Sequence, residues 1–543
     1  MYFLSNTIKN GFIIFIVSLF LPLVATPLVA TMASAQTTVV NKSVYDAVTR
    51  AGHRAKTIQA FYASTNYEPV WIGKNNNNRR TALLAALRSS GDQGLPVSRY
   101  KIAQLDNALS ALDTANAGAT ELMATRIYLQ YAHDLSSGAV NPRKIDKDLD
   151  INRPLRSDQN LLEAFVKSSP ALFLQALAPS SKEYRLLLAE KKILERDLNA
   201  SGGAVDIPRR LLKKGSSGKS VVLLRQRLTA MGYGDLGTAP KYDNDLKAAV
   251  IKFQKNNGLS ADGVAGRSTI ARLNQGPKQK LIKVLVNLER ERWMNFPRGK
   301  RNVFVNQASY TVYMFDNGRV SYQTRAIIGT KARDRRTPEF YDEITHMVVN
   351  PTWYVPRSIA GKEYLPKLRK DPTILARQNM VMISATGKRI NPANLDLSQY
   401  TKDNFPFDLS QRPSAGNALG RVKFMFPNKF NVYLHDTPTK NLFGRDRRAF
   451  SHGCVRIQNP YGFAYKLLEK QTPDPEGAFA AWLKTGKEQY VNLAQPVPIY
   501  LTYRTAYFGV ASEPSYYPDI YGRDKEVFKA LSKAGVSLGA VQS

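Results

Sequence analysis

One cysteine, Cys454, occurs in 543 residues, and histidine is nearly as scarce, at His53, His133, His346, His435 and His452. A lone cysteine has no intramolecular partner, so a disulfide framework is excluded. It is either a buried apolar side chain or a free thiol with a task. Acid is the second shortage: 43 Asp and Glu stand against 77 Lys and Arg, a formal charge of +34. That balance suits an anionic lipid, a nucleic acid or an acidic polymer. The basic residues are spread along the chain and no nucleic-acid motif occurs, so a nucleic-acid partner is not expected. A generally basic environment accounts for the charge equally well.

The surroundings of Cys454 favour the thiol with a task. It lies in Ser451-His452-Gly453-Cys454-Val455-Arg456, and His435 is 19 positions upstream. A thiol becomes nucleophilic when a base or positive field helps remove its proton, and imidazole is the usual base. Phe430 to His435 alternates like a strand, with Val432 and Leu434 on one face and Tyr433 and His435 on the other. Asp436-Thr437-Pro438 ends that strand, and Asn459-Pro460 reads as a cap and first position of a helix. His435 is therefore expected at a strand end and Cys454 just before a helix, joined by a mobile basic loop with Arg445, Arg447 and Arg448.

His435-Asp436-Thr437 followed by Ser451 to Arg456 resembles the signature of the L,D-transpeptidases, whose catalytic domain is the YkuD domain. The resemblance implies cross-linking of bacterial peptidoglycan through a cysteine acyl-enzyme. Cys454 would be the nucleophile and His435 the proton acceptor and donor. Backbone N–H groups around Gly453 would stabilise the oxyanion, and His452 would orient the loop from behind. Spacing alone does not rank the two histidines. Tyr433 and Trp353 are candidates for the donor site, with core packing as the alternative for each. Arg456 is either a clamp on a substrate carboxylate or a buried partner of an acid. No cofactor or metal is expected; a zinc site from His435, His452 and Cys454 has no usual zinc spacing. A Cys/His amidase and a non-catalytic wall-binding scaffold are the remaining alternatives.

Met1 to about Ala35 has a short positive start at Lys9, an apolar run from Phe12 to Leu23 and the small-residue ending Ala33-Ser34-Ala35. This reads as a signal peptide for export to the periplasm, with an uncleaved anchor as the competing reading; only the anchor would bring a membrane. Residues 36–207 carry apolar residues at helical spacing, as in Ala119 to Leu135, and form a helical scaffold in which His133 packs or caps. Residues 208–276 hold two helical stripes and Asp262-Gly263-Val264-Ala265-Gly266-Arg267-Ser268-Thr269. That order resembles a three-helix peptidoglycan-binding domain, the alternative being a helical linker without wall affinity.

Leu288 to Trp293, within a linker helix over 277–300, resembles the helix entering the catalytic domain of the large YcbB-like group, its charges otherwise a solvated face. From 301 to 509 the period turns strand-like, with Asn317-Gly318 as a hairpin turn. The Pro-, Lys- and Arg-rich stretch at about 357–420 is expected to be structureless, and the resemblance makes it a lid. Residues 510–543 are left as a C-terminal tail, although Asp519 to Asp524 resembles the ending of that group. The expected architecture is multidomain α+β: helical scaffold, small wall-binding domain, mostly β catalytic domain with inserted lid. Its partners would be peptidoglycan stem peptides, as donor and as acceptor.

Overall fold

The computed structural model describes residues 41–52, 55–200 and 206–538. The expected signal peptide lies outside the described residues. The chain forms two compact units, Met1–Asn77 with Leu105–Thr125, and Asn78–Gln104 with Arg126–Ser543. In the first, the buried Glu121 carboxylate accepts from the N–H groups of Val70, Trp71 and Ile72 and from Tyr62 Oη. A buried carboxylate is tolerated because so many donors converge on it.

The second unit contains everything that positions Cys454. Its catalytic half is a nine-stranded sheet in the order β11-β3-β12-β10-β9-β4-β13-β1-β2. In chain order these are β1 (Arg301–Asn306), β2 (Thr311–Asp316), β3 (Arg319–Gly329), β4 (Phe340–Val349), β9 (Val422–Met425), β10 (Leu434–His435), β11 (Ala449–Ser451), β12 (Val455–Ile457) and β13 (Gln489–Thr502). β2 also pairs with β3, so the sheet closes on itself. The β2–β3 turn is the expected primed one, with φ of 50° at Asn317 and 77° at Gly318. Val303, Met314, Phe424 and Leu434 fill the interior, and Phe463 and Leu467 cover it from the helix Pro460–Leu468. That helix starts as the sequence indicates: Asn459 Oδ1 accepts from Gly462 N, and Pro460 stands first.

Four expectations are corrected. Residues 357–420 are folded: β5 (Trp353–Tyr354), β6 (Met380–Ile383), β7 (Arg389–Ile390) and β8 (Asp408–Gln411) make a second sheet, ordered β5-β8-β6-β7. Short helices and a core of Leu368, Leu375, Met382 and Leu409 complete it. These apolar residues are too widely spaced among polar ones for periodicity to show them. The helix Pro277–Trp293 has no solvated face at its end, because Glu289, Arg290, Glu291 and Arg292 are all buried. Each finds an opposite charge: Arg290 with Asp524, Arg292 with Glu289, and Glu291 with Arg298 and Arg504.

The C-terminal residues are no tail either. The helix Arg523–Ala534 buries Val527 and Leu531, and Arg523 donates to Thr337 O at 2.8 Å. Finally, the basic loop before Cys454 is pinned. Arg448 is buried, and its guanidinium donates to the carbonyls of Ala326, Arg445, Ser309 and Tyr310.

The three helices Lys219–Ala230, Asn244–Asn256 and Arg267–Leu273 form the expected small domain. Val221, Leu224, Leu246 and Phe253 are its core. His133 lies on the scaffold helix Ala117–Ser137, with Nε2 2.7 Å from Asp158 Oδ1 at the start of the helix Asp158–Val166.

Candidate active site

β10 is only two residues long, and Asn431, three residues before it, has a φ of 52°, which no strand adopts. Pairing Leu434 with Val455 and His435 with Arg456 sets β10 beside β12 in parallel. Cys454 precedes strand β12, which the sequence did not indicate, and the helix then begins at Pro460 as expected. Gly453, with a φ of 125°, makes the turn into Cys454, a conformation that L residues rarely adopt. Ser451 tightens it: its Oγ donates to Cys454 O at 2.5 Å and accepts from Gly453 N at 3.2 Å.

A pocket of 730 Å³ opens over the thiol. Trp353, Tyr433, His435, His452, Cys454 and Arg456 all line it; Gly453 is not part of its wall. The Gly453 N–H is committed to Ser451, so the structure gives that candidate oxyanion donor another acceptor.

His435 is buried, and its Nδ1 lies 2.5 Å from Asp436 O. A carbonyl only accepts, so Nδ1 carries the proton and Nε2 keeps its lone pair. The Asp436 carboxylate, missed in the sequence, braces this corner by accepting from Arg421 N, Thr437 N and Lys440 Nζ. Gly420 makes room for it: a Cβ there would stand 2.3 Å from the carboxylate.

The half-buried thiol donates to Asn431 O at 3.6 Å, and the N–H and OH of Tyr433 nearby favour its thiolate. Burial outweighs these donors and the positive field of Arg456 and Lys423, and pushes the thiol up to about 11. Burial, with Arg456 second, pushes His435 down to about 3. Both groups are therefore neutral at pH 7 in the free protein. The thiol's ordinary value is 9.0. Below pH 9 its thiolate fraction is thus about 100-fold lower than that of an open cysteine. Alkylation of Cys454 by iodoacetamide is expected to rise about tenfold per pH unit and still be rising at pH 9.5. A plateau below pH 8 would contradict the neutral pair.

Arg456 is not the buried partner of an acid. No carboxylate lies within 4.0 Å of its guanidinium among the described residues, and Nη1 reaches only Thr439 Oγ1 at 3.4 Å. Its cation is left to the pocket. Trp353 serves both readings, lining the pocket and packing on Tyr364 with ring centroids 6.3 Å apart. His452 Nε2 lies 2.5 Å from Glu363 Oε1 of the inserted segment, and Arg335 donates to the same oxygen at 2.9 Å. Lys362 and Asp334 add a second ion pair at 2.9 Å. Glu363 and Lys362 were invisible in the sequence, as two charges in a charged stretch.

The family model for the L,D-transpeptidase catalytic domain matches residues 300–484. The chain carries an L,D-transpeptidase catalytic domain. Ahead of this YkuD domain, a "Scaffold domain" matches residues 56–190, and a "Putative peptidoglycan binding domain" matches residues 217–273. A Haemophilus influenzae protein named "Putative L,D-transpeptidase" is 32% identical over 253 residues, which is 45% of this chain and 48% of that protein. The chain thus spans about half the length of that curated relative. The N-acetylmuramoyl-L-alanine amidase CwlL of Bacillus licheniformis is 39% identical over 61 residues, 11% of this chain and 17% of the amidase. A solved L,D-transpeptidase from Xylanimonas cellulosilytica is covered completely by 56% of this chain, at 18% identity and a TM-score of 0.17.

Among the described residues, no helix is long and apolar enough to cross a membrane.

Proposed function

We propose that this chain is a peptidoglycan L,D-transpeptidase of the periplasm, forming cross-links between third-position stem residues in cell-wall biogenesis. The observation that carries the reading is the shared pocket of the only thiol and of His435, whose Nδ1–H is fixed by Asp436 O so that Nε2 is a free base. Burial raises the thiol and lowers the imidazole, which favours the neutral pair over a thiolate–imidazolium pair in the free enzyme. Proton transfer to His435 Nε2 therefore accompanies attack of Sγ on the carbonyl between the third and fourth stem residues.

The oxyanion that forms is served by Cys454 N–H and Tyr433 OH, since Gly453 N–H is engaged. Collapse breaks the C–N bond, His435 returns the proton to the departing D-Ala amine, and a thioester remains. A third-position amine of a neighbouring stem then attacks the thioester. His435 takes the amine proton and the thiol is regenerated. Arg456, unpaired with any acid, suits the donor's terminal carboxylate, and Trp353 and Tyr433 suit its flanks. The inserted subdomain acts as a lid that excludes water, held to the catalytic loop through Glu363 and His452. The three-helix domain supplies wall binding.

Incubation with a purified disaccharide-tetrapeptide is the test. The expected product is a dimer with release of one D-Ala, identified by mass and fragmentation. Tripeptide monomer as the sole product would mean hydrolysis and reassign the chain as a peptidase.

A further inference from the structure

A second cavity, of 480 Å³, shares no wall residue with the catalytic pocket. It lies between the three-helix domain and the β domain. Leu259, Arg267 and Arg272 form one wall; Tyr310, Arg447 and Ile520 form the other. The walls are tied together at Asp446, whose Oδ1 accepts from Ser260 N at 2.8 Å and from Ser260 Oγ.

The charge inside is unbalanced. Arg267, Arg272, Lys331 and Arg447 line the cleft against two carboxylates, Asp446 and Asp519. Both carboxylates already have donors. Ser260 holds Asp446, while Tyr503 Oη at 2.9 Å and Lys525 N at 3.3 Å hold Asp519. None of the four cations has a carboxylate within 4.0 Å among the described residues.

Arg272 is the telling member. Only 4% exposed, it has among the described residues one carbonyl acceptor, Asn257 O at 3.2 Å, and the face of Tyr517 at 5.9 Å. Other buried arginines of this unit are better served. Arg290, Arg292, Arg504 and Arg523 each have a carboxylate, and Arg448 has four carbonyls. Burying a guanidinium with so little compensation is costly unless an anion completes the site. Tyr310, Pro518 and Ile520 add apolar surface beside the cations.

We infer that this cleft binds a short peptide bearing carboxylates and small apolar side chains, held by Arg267, Arg272, Lys331 and Arg447. Its ligand is a second stem peptide, an identification that rests on the function proposed above. The cleft also adjoins the catalytic loop: Arg447 lies four residues before Ser451, and Thr330, next to Lys331, donates to Ser451 O at 3.0 Å. A wall strand held there would sit against the segment that leads to the thiol.

The experiment uses the full chain with Cys454→Ala, so that no turnover occurs, and a synthetic tetrapeptide with free carboxylates. Carbodiimide activation links a bound carboxylate to a nearby lysine amine, and the adducts are mapped by mass spectrometry. A Lys331 adduct is expected, reduced about tenfold or more by the double substitution Arg267→Glu/Arg447→Glu. Both substituted side chains are exposed, so the fold should tolerate the change. Adducts at Lys362 and Lys367 in the catalytic pocket should stay unchanged and serve as the internal reference.

No Lys331 adduct, or an equal one on the double variant, overturns the inference. So does suppression of the adduct by inorganic polyphosphate at concentrations where excess free tetrapeptide has no effect, which would reassign the cleft to phosphate anions. Dimer formation by the chain with Cys454 intact and no substitution is scored separately. Its failure in the unsubstituted chain would count against the transpeptidase reading and not against the cleft.

Discussion

Exposure to a carbapenem is expected to leave one covalent adduct on the unsubstituted chain and none on Cys454→Ala, read as intact mass. The same substitution should lower dimer formation by about 10⁴-fold or more, the usual scale for losing a nucleophile. The case is unusually clean, because the chain holds no other thiol that could be acylated or rescue activity. Alanine also leaves the neighbourhood intact: Ser451 Oγ bonds the backbone carbonyl of residue 454, and Val455 N bonds Tyr433 O, whatever the side chain. His435→Gln should cost less, about 10²- to 10⁴-fold, since it removes proton transfer and keeps the thiol. An adduct on Cys454→Ala would place the acyl group elsewhere and sink the assignment.

The second large effect concerns stability. Glu291→Gln is expected to destabilise the domain that contains it by about 3–5 kcal/mol, measured by urea unfolding. Glu291 accepts from Arg298, Arg504 and Ser181, each at 2.9 Å, and is 2% exposed. These cations hold its carboxyl below the ordinary range despite burial. Removing the charge strands Arg504, whose Nε and Nη1 have no hydrogen-bond partner among the described residues and which lies at 1% exposure. The pH dependence has a definite sign. A carboxyl depressed by folding contributes stability above its unfolded pKa, and that contribution is lost as pH falls through the folded value. The unsubstituted protein should therefore lose this increment on acidification, and Glu291→Gln should lose less over the same range. A change under 1 kcal/mol would show that the cluster relaxes or takes up water.

The corner around Cys454 was legible because its residues are nearly consecutive. Ser451 to Arg456 and His435 stand out through scarcity, and Asn317-Gly318 and Asn459-Pro460 act through local backbone rules. What escaped depends on partners far along the chain. Nothing local distinguishes Glu289 to Arg292 from a solvated helix face, since their burial is decided by Asp524, Arg298 and Arg504. Glu363 meets His452 across 89 positions, a separation at which periodicity carries no signal. The engagement of Gly453 N–H by Ser451 is a matter of turn geometry, visible only once φ at Gly453 is known. The core of the inserted segment is spread over short elements, none long enough for its alternation to show.

The point where that segment enters and leaves has a consequence of its own. β4 and β9 pair directly, Val349 opposite Val422, and Asn350 N donates to Arg421 O at 2.8 Å just beyond. The segment therefore hangs from the end of an ordinary antiparallel hairpin, with its own core and its own sheet. Its length and core can change without disturbing the register of β4 against β9, so the segment and the sheet are separable in folding as well as in design.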